Sequence, residues 1–308
     1  MIGNASKLLN YPDRLQAFWN GDPVIPITLD IQPSNKCNQH CKYCTAKHNE
    51  VIMTENMLLD ILKQASELGV EGISVCGGGE PLLGHIELFN KTSIPCGLIT
   101  NGAVKVSSDI FDYFQWVKFS IDSVSPNIYE SIRGVPLPIC LFENITSSTR
   151  QTYTGVQAIV TEENRSNLVS LAKWAKRQNV NYLQIRPDEN NRTIWISNQE
   201  QEVIKMQETE KFKVIIRQDR AEYSMPPKCV FGNFHMSITV EGECWICTCS
   251  WPRFKVGDLR ESSLSNIIYS TKRQDVLRNA DTSLCPSGCK GLAVNHILAT
   301  CLEHRQWI

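Results

Sequence analysis

The chain has 308 residues, with 31 Lys and Arg against 32 Asp and Glu, 42% hydrophobic residues and 13 cysteines. A net charge of −1 gives no general attraction to nucleic acid or to an anionic membrane, and no apolar run reaches the ~18 residues that span a bilayer. The first residues lack the charged-then-apolar layout of a secretory signal, so we expect a cytoplasmic protein whose odd number of cysteines serves as core thiols, redox groups or metal ligands rather than as a disulfide framework.

In chain order, short β-rich runs fall at 27–31, 72–76, 97–100, 116–121, 155–160 and 182–185. Between the first two, Met57, Leu58, Ile61, Leu62, Ala65 and Leu68 form one apolar helical stripe, with Thr54 as N-cap and Gly69 as stop. Further helical patterns lie at 109–114, 126–132, 140–148 and 167–177. This alternation predicts six parallel βα units with right-handed crossovers, as an open sheet or a partial barrel. Beyond Pro187 come a polar stretch, a helical pattern and a strand-like run, FKVIIRQ. From Cys229 onward the chain reads as short strands, turns and cysteines, including a turn at Glu241–Gly242. We therefore expect an N-terminal extension over 1–26, a core over 27–190, a connecting segment over 191–225 and a small cysteine-rich α+β domain over 226–308.

The first strand runs into QPSNKCNQHCKYC, which spaces three cysteines as Cys37-x3-Cys41-x2-Cys44. Thiolates are the ligands that iron–sulfur clusters prefer, and three ligands for four irons leave one iron open. Two other readings fit the spacing: a buried helical face at i, i+4, i+7, and a zinc site completed by His40 or His48. The motif, with Tyr43 before its last cysteine, resembles the signature of the radical S-adenosylmethionine (SAM) superfamily. That resemblance implies that Cys37, Cys41 and Cys44 hold a [4Fe–4S] cluster whose open iron binds SAM. It also implies a partial (βα)6 TIM-type barrel for the core.

The second strand ends in SVCGGGEPLL, where the glycines permit close backbone approach and Glu80 offers an acceptor. Gly78, Gly79 and Glu80 are similar to the superfamily's GGE motif, which implies contact with the SAM amino group. By the same resemblance, Ser120 stands where a polar SAM contact is often placed, and Arg133 resembles an arginine that meets the SAM carboxylate; a capping or surface role fits each equally well. Arg186, at the end of the sixth strand, should point toward the same face, and a surface ion pair fits it equally well. Cys76, Cys96 and Cys140 lie in apolar or strand-like stretches and read as core residues.

Seven cysteines fall in the last 80 residues, where even scattering would place about three. The order Cys229, Gly242-x4-Cys247, Cys285-x3-Cys289 resembles the SPASM and twitch extensions of the superfamily, which carry auxiliary [4Fe–4S] clusters. The Cys-x2-Cys that a complete SPASM pattern places ahead of the later pair is missing. The resemblance therefore implies one auxiliary cluster, on Cys229, Cys247, Cys285 and Cys289, with Cys244, Cys249 and Cys301 as spares; a zinc knot on the same thiolates is the competing reading.

The activity implied is reductive cleavage of SAM to a 5′-deoxyadenosyl radical, which takes a hydrogen atom from the substrate. The substrate would be a small molecule or peptide, and the outcome oxidation, cross-linking or epimerisation. An electron donor such as flavodoxin or ferredoxin is the implied partner. With about 26 residues ahead of the first strand, a leader-binding module is not expected, which tilts the reading toward a small molecule. A non-catalytic iron–sulfur or zinc scaffold and an RNA-modifying radical SAM enzyme are the alternatives, the second disfavoured by the balanced charge.

Overall fold

The structure is a computed structural model and describes all residues except 1–4, 189, 192, 218–225, 249–252, 286–288 and 304–308. Ten strands form one sheet in the order β10-β9-β8-β1-β2-β3-β4-β5-β6-β7. After α1 (Pro12–Asn20), the core alternates β1 (Thr28–Ile31), α2 (Glu55–Glu67), β2 (Gly72–Val75), β3 (Cys96–Thr100), β4 (Trp116–Ser120), α3 (Pro126–Arg133), α4 (Ile139–Gln151), β5 (Tyr153–Val160), α5 (Leu168–Arg177), β6 (Tyr182–Pro187), α6 (Asn198–Lys205) and β7 (Lys213–Ile216). Each of these strands pairs in parallel with the next. FKVIIRQ thus supplies a seventh parallel strand beside the six expected, because Val214 pairs with Leu183 and continues the same apolar face.

Local chemistry accounts for the elements. Thr54 Oγ1 accepts the Met57 N–H at 3.3 Å and starts α2, and Gly69, at φ 75°, ends it in the left-handed region. Leu58, Ile61, Leu62 and Ala65 bury the α2 stripe. The helical pattern at 109–114 is a 3-10 helix, Ser108–Tyr113, and β3 is joined to β2 through two more, Pro81–Leu83 and Ile86–Lys91.

The sheet has two faces of opposite character. Leu29 and Ile31, Val117 and Phe119, Val156 and Ala158, and Leu183 and Ile185 are buried against the helices. The alternate residues face inward. At the floor, Gly97 lies under the Trp116 ring and Gly155 under Tyr182, where an added Cβ would come within 1.9 and 2.1 Å of ring atoms. Above that floor the interior is polar.

The cysteine-rich region extends the same sheet. β8 (His235–Ile238) pairs in parallel with β1, and the hairpin through Gly242 (φ 87°) brings β9 (Glu243–Trp245) back antiparallel to β8. β10 (Lys255–Asp258), α7 (Leu264–Tyr269), α8 (Thr271–Asn279) and α9 (Leu292–Glu303) follow. Residues 1–26, which the sequence reading left without elements, carry α1 with Pro12 at its first turn. Phe18, Trp19 and Leu15 of α1 pack with Val230, Phe234, Val294 and Leu298 in a second small core that ties the two chain ends together. Arg273 is fully buried, and its guanidinium donates to the carbonyls of Val24, Ile268 and Asn233 in the same region.

Gly155→Ala tests the floor: overpacking against Tyr182 costs ~1–3 kcal/mol, so the melting temperature should fall by several degrees, and an unchanged melting curve would contradict the close approach.

Candidate functional site

The first cysteine loop leaves the C-terminal end of β1 and is held on two sides by backbone. On one side, Gly79 N–H donates to the Ser34 carbonyl at 3.0 Å and Glu80 N–H to the Lys36 carbonyl at 2.8 Å. There is no room for side chains at this junction: a Cβ on Gly79 would lie 2.2 Å from the Lys36 carbonyl oxygen, and one on Gly78 2.3 Å from Asn35 Oδ1. On the other side, His40 and Lys42 N–H groups donate to the carbonyls of Arg133 and Ile132 at the end of α3.

Glu80 locks this junction to β3. It is buried, and its carboxylate accepts from Leu82 N–H (2.9 Å), Thr100 Oγ1 (2.5 Å) and Asn101 N–H (2.7 Å). Burial pushes its pKa up, against the opposing pull of those three donors. Asn101 continues outward, donating to Asn38 Oδ1 at 2.8 Å, with its Nδ2 4.0 Å from Cys37 Sγ.

Arg133 is buried at 3% exposure beneath the loop. Its Nε lies 2.7 Å from Asp122 Oδ2 in a close but poorly aligned ion pair, and its Nη1 donates to Gln39 Oε1 at 3.2 Å and lies 3.8 Å from Cys41 Sγ. Tyr43 donates to the same Asp122 oxygen at 2.8 Å, and its ring lies under the guanidinium. Asp122 also accepts the Ile159 N–H, which fixes it to β5. Arg133 Nη2 is buried without a hydrogen-bond partner among the described residues.

Burial raises the Cys37 thiol to about 11, and raises Cys41 as well, where the Arg133 charge opposes it. Cys37 feels the charges of Cys41 and Cys44, and Cys41 that of Cys44. A single zinc ion holds thiolates ~2.3 Å from itself, and among the described residues no three His, Cys, Asp or Glu side chains are arranged to hold one ion. Cys44 is exposed, and its Sγ lies 3.6 Å from His48 Nε2. The loop is not a helix, so the reading of one buried helical face falls. The donor set of soft thiolates, with an unpartnered Arg133 nitrogen beside them, fits an anionic iron–sulfur cluster with a carboxylate-bearing ligand.

Ser120 ends β4 on the interior face, level with Gln157, and is partly exposed. Lys118, one interior position before it, is buried and donates to Gln184 Oε1 at 3.2 Å. Burial, with the charges of Arg186 and Arg217, pulls Lys118 down to about 7. Cys76 also faces this interior: its thiol is pushed up to about 12 by burial and by the Asp30 charge. The expectation that Cys76 is an apolar core residue is therefore corrected, whereas Cys96 does join the core.

The second group forms around α9. Cys229 is buried, and Asn295 Nδ2 lies 3.9 Å from its Sγ and 4.0 Å from Cys289 Sγ. Asn295 Oδ1 accepts the N–H groups of Val230 and Phe231, each at 2.7 Å, so one side chain orders the Cys229 turn. The charges of Cys285 and Cys289 both bear on Cys229, and that of Cys247 bears on Lys290. Cys244 points the other way, fully buried in the main core, and Cys301 is exposed on α9. Cys249 lies outside the described residues.

Asp30 joins the two groups. This buried carboxylate on β1 accepts from Thr248 Oγ1 at 2.9 Å and from Lys290 Nζ, and lies 3.3 Å from His235 Nε2. Thr248 and Lys290 each follow a cysteine, Cys247 and Cys289. Lys290, with His235 beside it, holds the Asp30 carboxyl far below the usual range despite its burial. The sequence reading passed over Asp30, Lys118, Asp122, Lys290 and Asn295. Single charges inside the apolar runs ITLDI and WVKFS were the available signal for Asp30 and Lys118; nothing marked Asn295.

Comparison with known proteins bears on both halves. Residues 229–290 match the model of the SPASM iron-sulfur cluster-binding domain. Over 122 residues, 34% of this chain and 41% of the relative, it is 30% identical to an S-adenosylmethionine-dependent nucleotide dehydratase of Flammeovirga pacifica. Over 124 residues, 35% of this chain and 38% of the relative, it is 30% identical to a GTP 3',8-cyclase of Clostridium perfringens. The matches thus span about two fifths of those relatives. Among solved structures, Streptococcus suis SuiB bound to the precursor peptide SuiA superimposes with a TM-score of 0.68 at 15% identity, covering 88% of this chain and 71% of that one. The anSMEcpe structure with bound AdoMet gives 0.61 at 15% identity, covering 82% and 80%. These findings agree with the resemblance carried by the motifs: residues 229–290 match the SPASM domain, and the chain shares its fold with SuiB and anSMEcpe.

If Cys229, Cys285 and Cys289 hold one of two clusters, Cys229→Ala should lower iron and sulfide in anaerobically purified protein by about half, while Cys244→Ala leaves both unchanged; zinc without sulfide, or iron loss in Cys244→Ala, would contradict the assignment.

Proposed function

We propose that the protein is a radical SAM enzyme that abstracts a hydrogen atom from a small-molecule or peptide substrate. The observation that carries the reading is the loop of three thiols at the C-terminal end of β1, where α/β folds place their chemistry, held by Gly79 and Glu80 on one side and α3 on the other. A [4Fe–4S] cluster on Cys37, Cys41 and Cys44 would supply the electron that cleaves SAM into methionine and a 5′-deoxyadenosyl radical.

The chain's own residues have definable tasks in this reading. Glu80 holds the β2 and β3 ends together beneath the loop, so Gly78 and Gly79 present backbone rather than side chains to the SAM amino group. Arg133 places a fixed positive charge beside Cys41, and its buried, unpartnered Nη2 would be available to a carboxylate of the cofactor. Asp122 and Tyr43 keep that guanidinium from swinging away. Rim contacts from Lys42 to Glu163 (2.6 Å) and from Asn190 Nδ2 to the Tyr43 carbonyl (2.9 Å) draw the loops after β5 and β6 over the cysteine loop, which limits water at the reactive face. Cys229, Cys247, Cys285 and Cys289 would hold an auxiliary cluster, which would supply an electron acceptor.

The relatives compared act, by their names, on nucleotides, and SuiB is seen with a peptide. Both substrate classes therefore stand within the proposal.

Reduction with dithionite in the presence of SAM, under anaerobic conditions, should release 5′-deoxyadenosine from cluster-loaded protein. Cys37→Ala, Cys41→Ala or Cys44→Ala should abolish it, whereas Cys229→Ala should retain uncoupled release; no 5′-deoxyadenosine above the enzyme-free blank would end the enzyme reading.

A further inference from the structure

Asn295 lies in the first turn of α9, fully buried, six positions after Cys289. Its side chain has a fixed orientation. Oδ1 accepts the N–H groups of Val230 and Phe231, both at 2.7 Å, and only the oxygen end of the amide can accept from two donors. The NH2 end therefore faces the other way, where it meets sulfur: Cys229 Sγ at 3.9 Å and Cys289 Sγ at 4.0 Å. Among the described residues these two sulfurs are its acceptors.

A second contact holds the same junction. A Cβ on Gly291 would lie 2.2 Å from Phe231 Cγ, so the lack of a side chain there lets the Phe231 ring close on the turn between Cys289 and α9. The Cys229 turn and the Cys289 turn are thus pressed together by protein contacts alone. A neutral thiol is a weak acceptor, and a buried amide donor left with weak acceptors is costly. Thiolates on an iron–sulfur cluster carry the negative charge that such donors favour, so this donor set fits the cluster. Hydrogen bonds to the sulfurs are also one of the factors that set a cluster's reduction potential. Reduction adds negative charge, so N–H donors favour the reduced form and raise the potential.

We propose that Asn295 is a positioning residue of the auxiliary cluster, giving one N–H to each of the Cys229 and Cys289 thiolates and raising the potential at which that cluster takes up an electron. The inference rests on the function proposed above in taking these cysteines to hold a cluster. Its test needs no turnover of SAM.

The test is a redox titration followed by electron paramagnetic resonance, on the full chain carrying Cys37→Ala, Cys41→Ala and Cys44→Ala, so that the auxiliary cluster is the one read. Asn295→Asp keeps an oxygen for Val230 and Phe231 and removes both N–H donors. Iron and sulfide should stay at the parent level. The midpoint should fall so that the oxidised-to-reduced ratio at a fixed potential rises at least about tenfold, ~59 mV for a one-electron couple. Asn295→Leu, which adds no charge, should move it in the same direction. Should Asn295→Leu lose its iron, hyperfine coupling in protein labelled with nitrogen-15 asparagine separates lost donors from added charge: it should be present in the parent and absent in Asn295→Asp. A midpoint unchanged or raised in Asn295→Asp, or a parent without that coupling, overturns the proposal. So does a parent that holds zinc without sulfide, which removes the auxiliary cluster itself. Release of 5′-deoxyadenosine, read on protein with Cys37, Cys41 and Cys44 intact, tests the enzyme reading separately; its failure would leave the potential shift standing.

Discussion

Backbone contact between residues 34–36 and Gly78–Glu80 is the constraint on which the site depends. Two parallel strands, β1 and β2, deliver these segments side by side, and only glycine lets them touch. Once they touch, Glu80 faces β3 rather than solvent and ties Thr100 and Asn101 to the junction. Asn101 then reaches back toward Asn38 and Cys37, so the first thiol is positioned through three strands. A side chain at position 79 would separate the cysteine loop from the sheet without altering any cysteine.

The same logic of buried polar connectors recurs twice. Asp122 anchors Arg133 under Cys41 and is itself held by the Ile159 N–H of β5. Asp30 anchors Thr248 and Lys290, the residues after Cys247 and Cys289, to the strand that leads to Cys37. Removing one member of such a buried pair leaves an uncompensated charge, which costs ~3–5 kcal/mol. The two cysteine groups are therefore mechanically joined through β1, and the hydrogen-bonded sheet runs without a break from β10 across β8 and β1 to β7. A substrate bound between them would face both.

How much of this the sequence discloses depends on the range of the interaction. Short apolar and β-branched runs and the α2 stripe located the first six strands within one or two residues, because local composition and parallel burial agree there. The spacing 37, 41, 44 and the run of glycines at 77–79 were legible because chemistry demands those residues close together in the chain. The connectors were not. Asn295 acts on Cys229 across 66 positions, and Lys290 on Asp30 across 260, distances at which a single sequence carries no signal. Cys76 was misread because a cysteine in an apolar run looks like core until the register shows which face it takes. Pairing of β8 with β1 escaped for the same reason, since a separate cysteine-rich module and an extended sheet have the same local pattern.

The central claim is that Cys37, Cys41 and Cys44 hold a cluster with one iron open to SAM. Electron paramagnetic resonance tests it most directly, on dithionite-reduced Cys229→Ala protein in which this cluster is the one retained. The account predicts a reduced-cluster signal whose g values shift when SAM is added, with hyperfine coupling to nitrogen-15 in the SAM amino group. A reduced-cluster signal that SAM leaves unchanged, or a signal that persists when Cys37 is also replaced, would contradict it.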